Sequence, residues 1–364
     1  MVEIGLRKDN PELKAQLEAK LESLVKEHTF KELGKDVFRG FPAQYLDDAA
    51  LVRQRVRREN GIDSEFLKRH RGRHWHPDFK MVIAKTLGNH NEIFANKIYE
   101  KLVEHTSDGR PVIYVTPVGP MGHYPVLAKL MNEKGRKDGL RPELIHTFAM
   151  DEWCNPDGVV LSSKEFPYMG SFKNDMEEQF YSLLEAGAMI PVKNRSFAAG
   201  NGLRDYQGKM ENIMKKGAGV IFTGGVGMIG HIMFWEPNYG VLFRKEISEQ
   251  VTYIRGAPLT TQTIAQNMFT SAASGEVPSF ANTIGLGLFC MLRDYGLKTG
   301  RMDAFFGLDN FESPLIWQRG IARATLAMDK ADPSMASTYP ATVPGCYIIA
   351  APHLAEQGFK VPSK

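Results

Sequence analysis

The stretch VIFTGGVGMIGHIMFWEP, residues 220–237, carries the reading of the chain. It opens as a short apolar run and passes into Gly224, Gly225, Gly227 and Gly230. It then places His231 and Glu236 five residues apart. An apolar run that stops at glycines is the sequence form of a buried parallel strand ending at the ligand-binding edge of a sheet. Glycine there permits a positive φ and lets the backbone come close to a ligand. A histidine just beyond titrates near neutrality, and a carboxylate five residues on can hold its ring or share the proton work. By itself the stretch fits a tight strand-to-helix turn with a surface histidine equally well. The rest of the chain decides between them.

Upstream, MVIAKT (81–86) reads as a strand and HNEIFANKIYEKLVEHT (90–106) as a helix with Ile93, Phe94, Ile98 and Leu102 on one face. PVIYVT (111–116) is a continuous apolar strand that runs into PVGPMGHY (117–124), and the helix VLAKLMNEKG (126–135) closes a βαβ unit. ELIHTFAM (143–150) is a further strand, ending at Asp151-Glu152-Trp153, and 172–187 and 202–217 read as helices. Downstream, 246–259 is expected to be extended, and TTQTIAQNMFTSA (260–272) to form a helix capped by Thr260 or Thr261. A turn motif (281–292), a strand (301–308), a helix with a Ser cap and Pro at N1 (313–328) and a last strand, CYIIAA (346–351), complete the pattern. The alternation predicts an α/β fold: a doubly wound, mostly parallel, Rossmann-like sheet with helices on both faces, over 81–364.

Residues 1–80 differ in character and are expected to form a basic, mainly helical N-terminal extension. Asn10-Pro11 opens a charged amphipathic helix through Leu24, and 52–60 and 67–77 concentrate Arg and His. Such runs more often form a solvated face or a subunit contact than a nucleic-acid site, so the extension is expected to help build a homo-oligomer. His74 and His76 have no acidic or cysteine neighbours, and no metal site is expected. The net charge of +3 on 364 residues gives no argument for nucleic acid. Cys154, Cys290 and Cys346 are far apart, in neither a disulfide nor a zinc spacing, and suit a reducing cytoplasm. No run reaches the ~20 apolar residues of a membrane span, and no secretion signal opens the chain.

Ligands in such folds sit outside the carboxyl ends of the strands. Three strand ends carry polar groups: Thr116 to Tyr124, Asp151-Glu152, and Gly224 to Glu236. The first is a small-residue loop entering a helix, suited to an anion on backbone N–H groups although Pro117 and Pro120 lack them. The second supplies a carboxylate that burial can turn into a base, or else a helix cap. The third supplies an acid or proton shuttle.

On these residues the chain from about Met81 to Pro352 resembles the glucosamine-6-phosphate deaminase (isomerase) family, whose wider superfamily includes the 6-phosphogluconolactonases. AMDEW (149–153), GGVGMIGHIMFWEP (224–237), PLTTQTIAQNMF (258–269) and VPSFANTIGLG (277–287) are similar, in order, to four of its motifs. The resemblance implies aldose–ketose isomerisation of an amino-sugar phosphate with loss of ammonia, and needs no metal or organic cofactor. It implies Asp151 as the base between C2 and C1, and His231 as the ring-opening acid/base supported by Glu236. Thr116, Gly119, Gly122, Glu152, Gly225, Gly227, Thr283 and Arg319 would meet substrate or its phosphate. Three positions depart from the family: Ile229 stands where it has Asp, Pro117-Val118-Gly119-Pro120 where it has Gly-Gly-Thr-Pro, and Met268 where an Arg is expected. Two alternatives therefore stay open. One is an isomerase or hydrolase of the superfamily acting on a different, even unphosphorylated, sugar or lactone. The other is a non-catalytic sugar-phosphate sensor.

Overall fold

The computed structural model describes residues 3–6, 79–161, 171–243, 245–270, 277–308 and 330–351. The helices expected at 10–24 and 313–328, the basic runs at 52–60 and 67–77, and Arg319 lie outside them.

Eleven strands are described: β1 (Glu3–Leu6), β2 (Lys80–Ile83), β3 (Val112–Thr116), β4 (Ile145–Ala149), β5 (Asp151–Trp153), β6 (Arg195–Ser196), β7 (Gly219–Gly225), β8 (Val251–Pro258), β9 (Phe280–Ile284), β10 (Met302–Leu308) and β11 (Cys346–Ala350). Seven of them form a parallel sheet in the order β2-β11-β10-β7-β3-β4-β6. The strand that opens the decisive stretch, β7, lies at its centre between β10 and β3. Its side chains alternate between two apolar layers, because successive residues of a strand point to opposite faces. Val220 and Phe222 join a cluster with Phe148, Tyr206, Trp235, Phe289 and Phe306. Ile221 joins Phe94, Ile98, Leu102, Tyr114, Tyr124 and Phe305 on the other side. Such a strand is covered on both faces, which is why it reads as an unbroken apolar run.

The helices divide accordingly. Helix α1 (Leu87–Ser107) and α2 (His123–Lys134) bury Phe94, Ile98, Leu102, Tyr124 and Leu127 in the second layer. Thr86 caps α1, its hydroxyl accepting from Asn89 N at 3.1 Å, so the helix starts three residues before the expected His90. After α3 (Phe172–Gln179), α4 (Tyr206–Met214) places Tyr206, Met210 and Ile213 in the first layer. Two short helices, α5 (Pro237–Leu242) and α6 (Lys245–Ser248), and α7 (Thr261–Thr270) follow, before α8 (Leu286–Thr299) adds Leu288, Phe289 and Leu292 to that same layer. Helices on both faces of a parallel sheet make the doubly wound fold.

One expectation is corrected. Asp151 and Glu152 do not end a strand of the parallel sheet. They begin β5, part of a second, antiparallel sheet of four strands in the order β1-β8-β9-β5. Met150 is the joint: its N–H donates to Thr116 O at 3.1 Å in the first sheet, and its carbonyl accepts from Ile284 N at 2.9 Å in the second. A strand of three residues has no period to read, so the transfer from one sheet to the other left no mark in the sequence pattern. The first residues of the presumed extension also take part, since Glu3–Leu6 pairs antiparallel with β8.

Candidate active site

The loop from Val226 to Glu236 is held in a fixed shape by its own backbone. Gly227 N donates to His231 O and Gly230 N to Gly227 O, both at 2.9 Å, and Gly230 has a φ of +82°. A Cβ on Gly227 would fall on the His231 imidazole, on Nε2 and its neighbours, so glycine there makes room for the ring. Met233 takes a φ of +57°, and among the described residues it is the one non-glycine with a positive φ. For an L-residue this conformation costs roughly 1–2 kcal/mol. It turns the chain so that Trp235 N bonds back to Ile232 O, and Phe234 N–H points at β5 and β9.

There the amide meets two oxygens, Thr283 Oγ1 at 3.0 Å and Asp151 Oδ1 at 3.3 Å. Asp151 and Thr283 are directly opposite one another in the β5–β9 ladder. Asp151 is 7% exposed. Burial pushes its carboxyl from the usual 3.8 up to about 7, with the Thr283 hydroxyl and the Phe234 N–H holding it down in part. Three residues before Phe234, His231 is buried too, and loss of solvent lowers its imidazole from 6.5 to about 4. The His231 and Phe234 rings lie 6.1 Å apart. Thus Asp151, from β5, meets the short loop that carries His231.

Glu236 is fully buried, at the N-cap position of α5, but its carboxylate serves another helix. Thr260 N donates to its Oε2 at 2.8 Å and the Thr260 hydroxyl to its Oε1 at 3.3 Å. Thr260 also caps α7, accepting from Thr263 N at 3.3 Å. Burial raises the Glu236 carboxyl to about 7 against the opposing hydrogen bonds of Thr263 and Thr260. Thr263 Oγ1 stands 3.3 Å from His231 Nδ1. Glu236 and His231 are therefore linked through α7. The Thr-x-x-Thr spacing at 260 and 263 was the available signal, since i and i+3 share a helix face.

The Asp-Glu pair divides its work. Neighbours in a strand face opposite ways, and Glu152 turns from Asp151 toward α3. It accepts from Phe172 N and Lys173 N at 3.0 Å each and from Trp153 N at 2.9 Å. Burial raises its carboxyl while these three bonds hold it down. The structure makes Glu152 the cap of a helix N-terminus, where a negative charge is favoured. All three of these bonds come from backbone N–H groups.

Thr116 closes β3 and is fully buried. Beyond it Pro120 packs on β7, where a Cβ on Gly225 would lie 3.4 Å from Pro120 Cδ. Val118 packs against the apolar cluster of Trp153, Phe172, Phe234, Leu259, Val277 and Ala281. Gly119 O accepts from Met121 N at 2.9 Å, and Gly122 precedes α2, where a Cβ would strike the Asn91 amide. So the loop after β3 touches both the β7 end and the Phe234 cluster. Met268 is 39% exposed on α7. Arg255, on β8, extends over the 155–158 turn, its Nη2 donating to Asp157 O at 3.4 Å. Among the described residues no group of His, Cys, Asp and Glu is arranged to hold a metal ion, and no helix is long and apolar enough to cross a membrane.

The doubly wound sheet with its loop-borne polar groups defines the class, and comparison with known proteins narrows it. A monomeric glucosamine-6-phosphate deaminase of known structure shares the fold, with a TM-score of 0.53 at 18% identity over 76% of this chain and 98% of that one. In sequence, the chain is 30% identical over 215 residues to glucosamine-6-phosphate deaminase of Borrelia hermsii, covering 57% of this chain and 71% of the relative. It is 28% identical over 218 residues to that of Borreliella afzelii, with the same coverage. No family model matches. The chain belongs to the glucosamine-6-phosphate deaminase family, a family of enzymes.

Proposed function

We propose that this protein converts an amino-sugar phosphate, glucosamine 6-phosphate, to the ketose phosphate and ammonia. The observation that carries the reading is the double grip on Phe234. Its amide binds Asp151 and Thr283, while His231, three residues earlier, is held from α7. In the first step His231 Nε2 takes the proton of the anomeric hydroxyl. C1=O forms as the C1–O5 bond breaks, and the proton passes to O5. The exposed carbonyl acidifies the neighbouring C2–H, which Asp151 removes as its carboxylate. Return of that proton to C1, with one proton taken up on O1 as another leaves the C2 nitrogen, leaves an imine at C2, and water hydrolyses it to the ketone and ammonia. Asp151, pushed to about 7, is a stronger base than an ordinary carboxylate yet is ionised at neutral pH in useful amount. His231, held to about 4, is neutral at the start, as a proton acceptor must be.

The phosphate would be met by backbone from Thr116 to Gly122 and near Gly225 and Gly227, with Arg319 as the cation. Glu152 would act only by holding α3 against β5. A second reading shares the chemistry but not the substrate: the same isomerisation on a sugar without the phosphate. The packing of Val118 into an aromatic cluster and the exposed Met268 favour it. A charge-assisted contact is worth about 1.5–3 kcal/mol, or roughly tenfold to a hundredfold in binding.

The test is release of ammonia and ketose from glucosamine 6-phosphate, glucosamine and 6-phosphogluconolactone, side by side. Turnover of the first alone supports the main reading. Preference for glucosamine supports the second. Hydrolysis of the lactone without ammonia from either amino sugar would overturn both.

A further inference from the structure

We propose that Trp235 is a positioning residue: its indole, bonded to Pro333, locks the turn that aims the Phe234 N–H at Asp151. The proposal rests on the role given to Asp151 above, but its geometry is independent of the substrate.

Ile232 to Trp235 form a tight turn, closed by Trp235 N donating to Ile232 O at 3.2 Å. In such a turn the amide of the third residue takes no part in the closing bond, so the Phe234 N–H needs an acceptor outside it. It meets Thr283 Oγ1 at 3.0 Å and Asp151 Oδ1 at 3.3 Å. The second residue, Met233, has the positive φ that a type II′ turn demands and glycine usually supplies. A corner that a methionine adopts at a cost persists only where its surroundings over-determine it. The two ends of the turn supply that constraint, since Ile232 and Trp235 are both buried in the first apolar layer.

Trp235 adds a directional bond to its packing. Its Nε1 donates to Pro333 O at 3.0 Å, 98 residues further along the chain. That acceptor is itself fixed. A Cβ on Gly240 would fall on the Pro333 carbonyl, so glycine there lets α5 close against it. On either side of Pro333, Asp332 N donates to the Thr338 hydroxyl at 2.9 Å, and Asp332 Oδ1 accepts from Ser334 N at 2.8 Å. The same segment holds the loop ahead of His231. Ser337 N donates to Gly230 O at 2.9 Å, and Met335 Sδ fills the space where a Gly230 Cβ would stand. The loop is thus gripped on both sides of the stretch that carries His231 and Phe234, and the grip at the Phe234 end passes through the indole. A phenylalanine would fill the same apolar layer, whereas a buried indole also needs a partner for its N–H. Of the ionisable groups, Glu152 bears on Asp151 from the same strand, and Glu236 is bonded to Thr260 instead.

The experiment follows the Phe234 amide against pH by 1H–15N NMR of the full chain labelled at phenylalanine. Phe234→Leu assigns the signal, and Asp151→Asn assigns the titration, which that variant should abolish. Wild type is expected to titrate with a midpoint of about 7. Trp235→Phe keeps an aromatic ring and removes the indole N–H. Its amide should respond less, with the midpoint raised by roughly 0.5–1 on the pH scale, because a carboxylate that loses a donor holds its proton more tightly. Pro333→Gly loosens the acceptor without touching the turn and should move the midpoint in the same direction, which keeps the test open if Trp235→Phe does not fold. Asp303→Asn, destabilised at the opposite edge of the sheet, should titrate like wild type. In parallel, kcat for ammonia release from glucosamine 6-phosphate should fall about tenfold in Trp235→Phe with KM little changed. A wild-type titration in folded Trp235→Phe, or in Pro333→Gly where that variant alone folds, overturns the proposal, as does an equal shift in Asp303→Asn. Should wild type release no ammonia, the functional reading fails, and the amide titration still decides the role of Trp235.

Discussion

Two sets of buried ionisable groups stand at opposite edges of the parallel sheet, and they are built on different principles. At the amino edge, Asp303 near the start of β10 meets His105 Nε2 at 3.2 Å and Lys101 Nζ at 3.4 Å, both from α1. Its charge is matched by the Lys101 ammonium, and His105 adds a ring nitrogen. At the carboxyl edge, Asp151 and Glu236 have no ion pair among the described residues and are met by threonine hydroxyls and backbone N–H groups instead. A matched carboxylate keeps its charge and adds to cohesion. A carboxylate buried among neutral donors is held near the point of protonation, and such poise is useful for moving protons while it costs stability. The lesson is that burial alone does not mark a site. Among the described residues a missing countercharge narrows the candidates to Asp151, Glu236 and Glu152, and of these Glu152 is taken up by the N-terminus of α3.

The largest effect expected from this contrast is on rate. Asp151→Asn keeps an acceptor for the Phe234 amide but removes the base, and should lower kcat for ammonia release by about 10²–10⁴-fold. Steady-state assays at pH 8 check it. The counterpart at the other edge, Asp303→Asn, should do the reverse. It leaves His105 and Lys101 without their shared carboxylate and is expected to cost about 2–3 kcal/mol, discounted because Lys101 is partly exposed. Urea unfolding should show that loss with kcat close to wild type.

A third prediction concerns pH. Asp151 holds its proton more tightly folded, at about 7, than unfolded, near the usual 3.8. Its contribution therefore favours folding below about pH 4 and is lost as pH climbs through 7. His231 has the opposite sign: lowered to about 4, it favours folding above its unfolded value of 6.5 and loses this as pH falls through 4. Asp151→Asn deletes only the first. Its Tm should exceed that of wild type at pH 8, by at least about 3 °C, and the gap should close toward pH 4. Thermal melts at three pH values read this directly. The smallest effect is reserved for Glu152→Gln, which retains the acceptor at α3 but not the charge. About 1 kcal/mol of stability should go, with the ascending limb of the rate profile unmoved.

The sequence made some of this plain and hid the rest for physical reasons. β7, β3, β10 and β11 are buried on both sides and read as apolar runs, so the sheet and its order of helices were legible. β5 was not, because three residues carry no period, and the second sheet was missed with it. Asp151 and Glu152 stood out as a pair, yet only the coordinates separate the residue at the Phe234 turn from the one that caps α3. The link between His231 and Glu236 lay in α7, some thirty residues on, and a threonine hydroxyl has no signature that distinguishes a relay from a cap. Arg319, expected from the resemblance, falls outside the described residues.

The account turns on proton removal from C2 by Asp151, and isotope transfer tests it most directly. With glucosamine 6-phosphate deuterated at C2, the wild-type protein should yield ketose phosphate in which the label has moved to C1 or exchanged into water, and Asp151→Asn should leave it at C2 in unreacted sugar. Loss of the label from C2 at equal rates in both proteins would contradict the assignment.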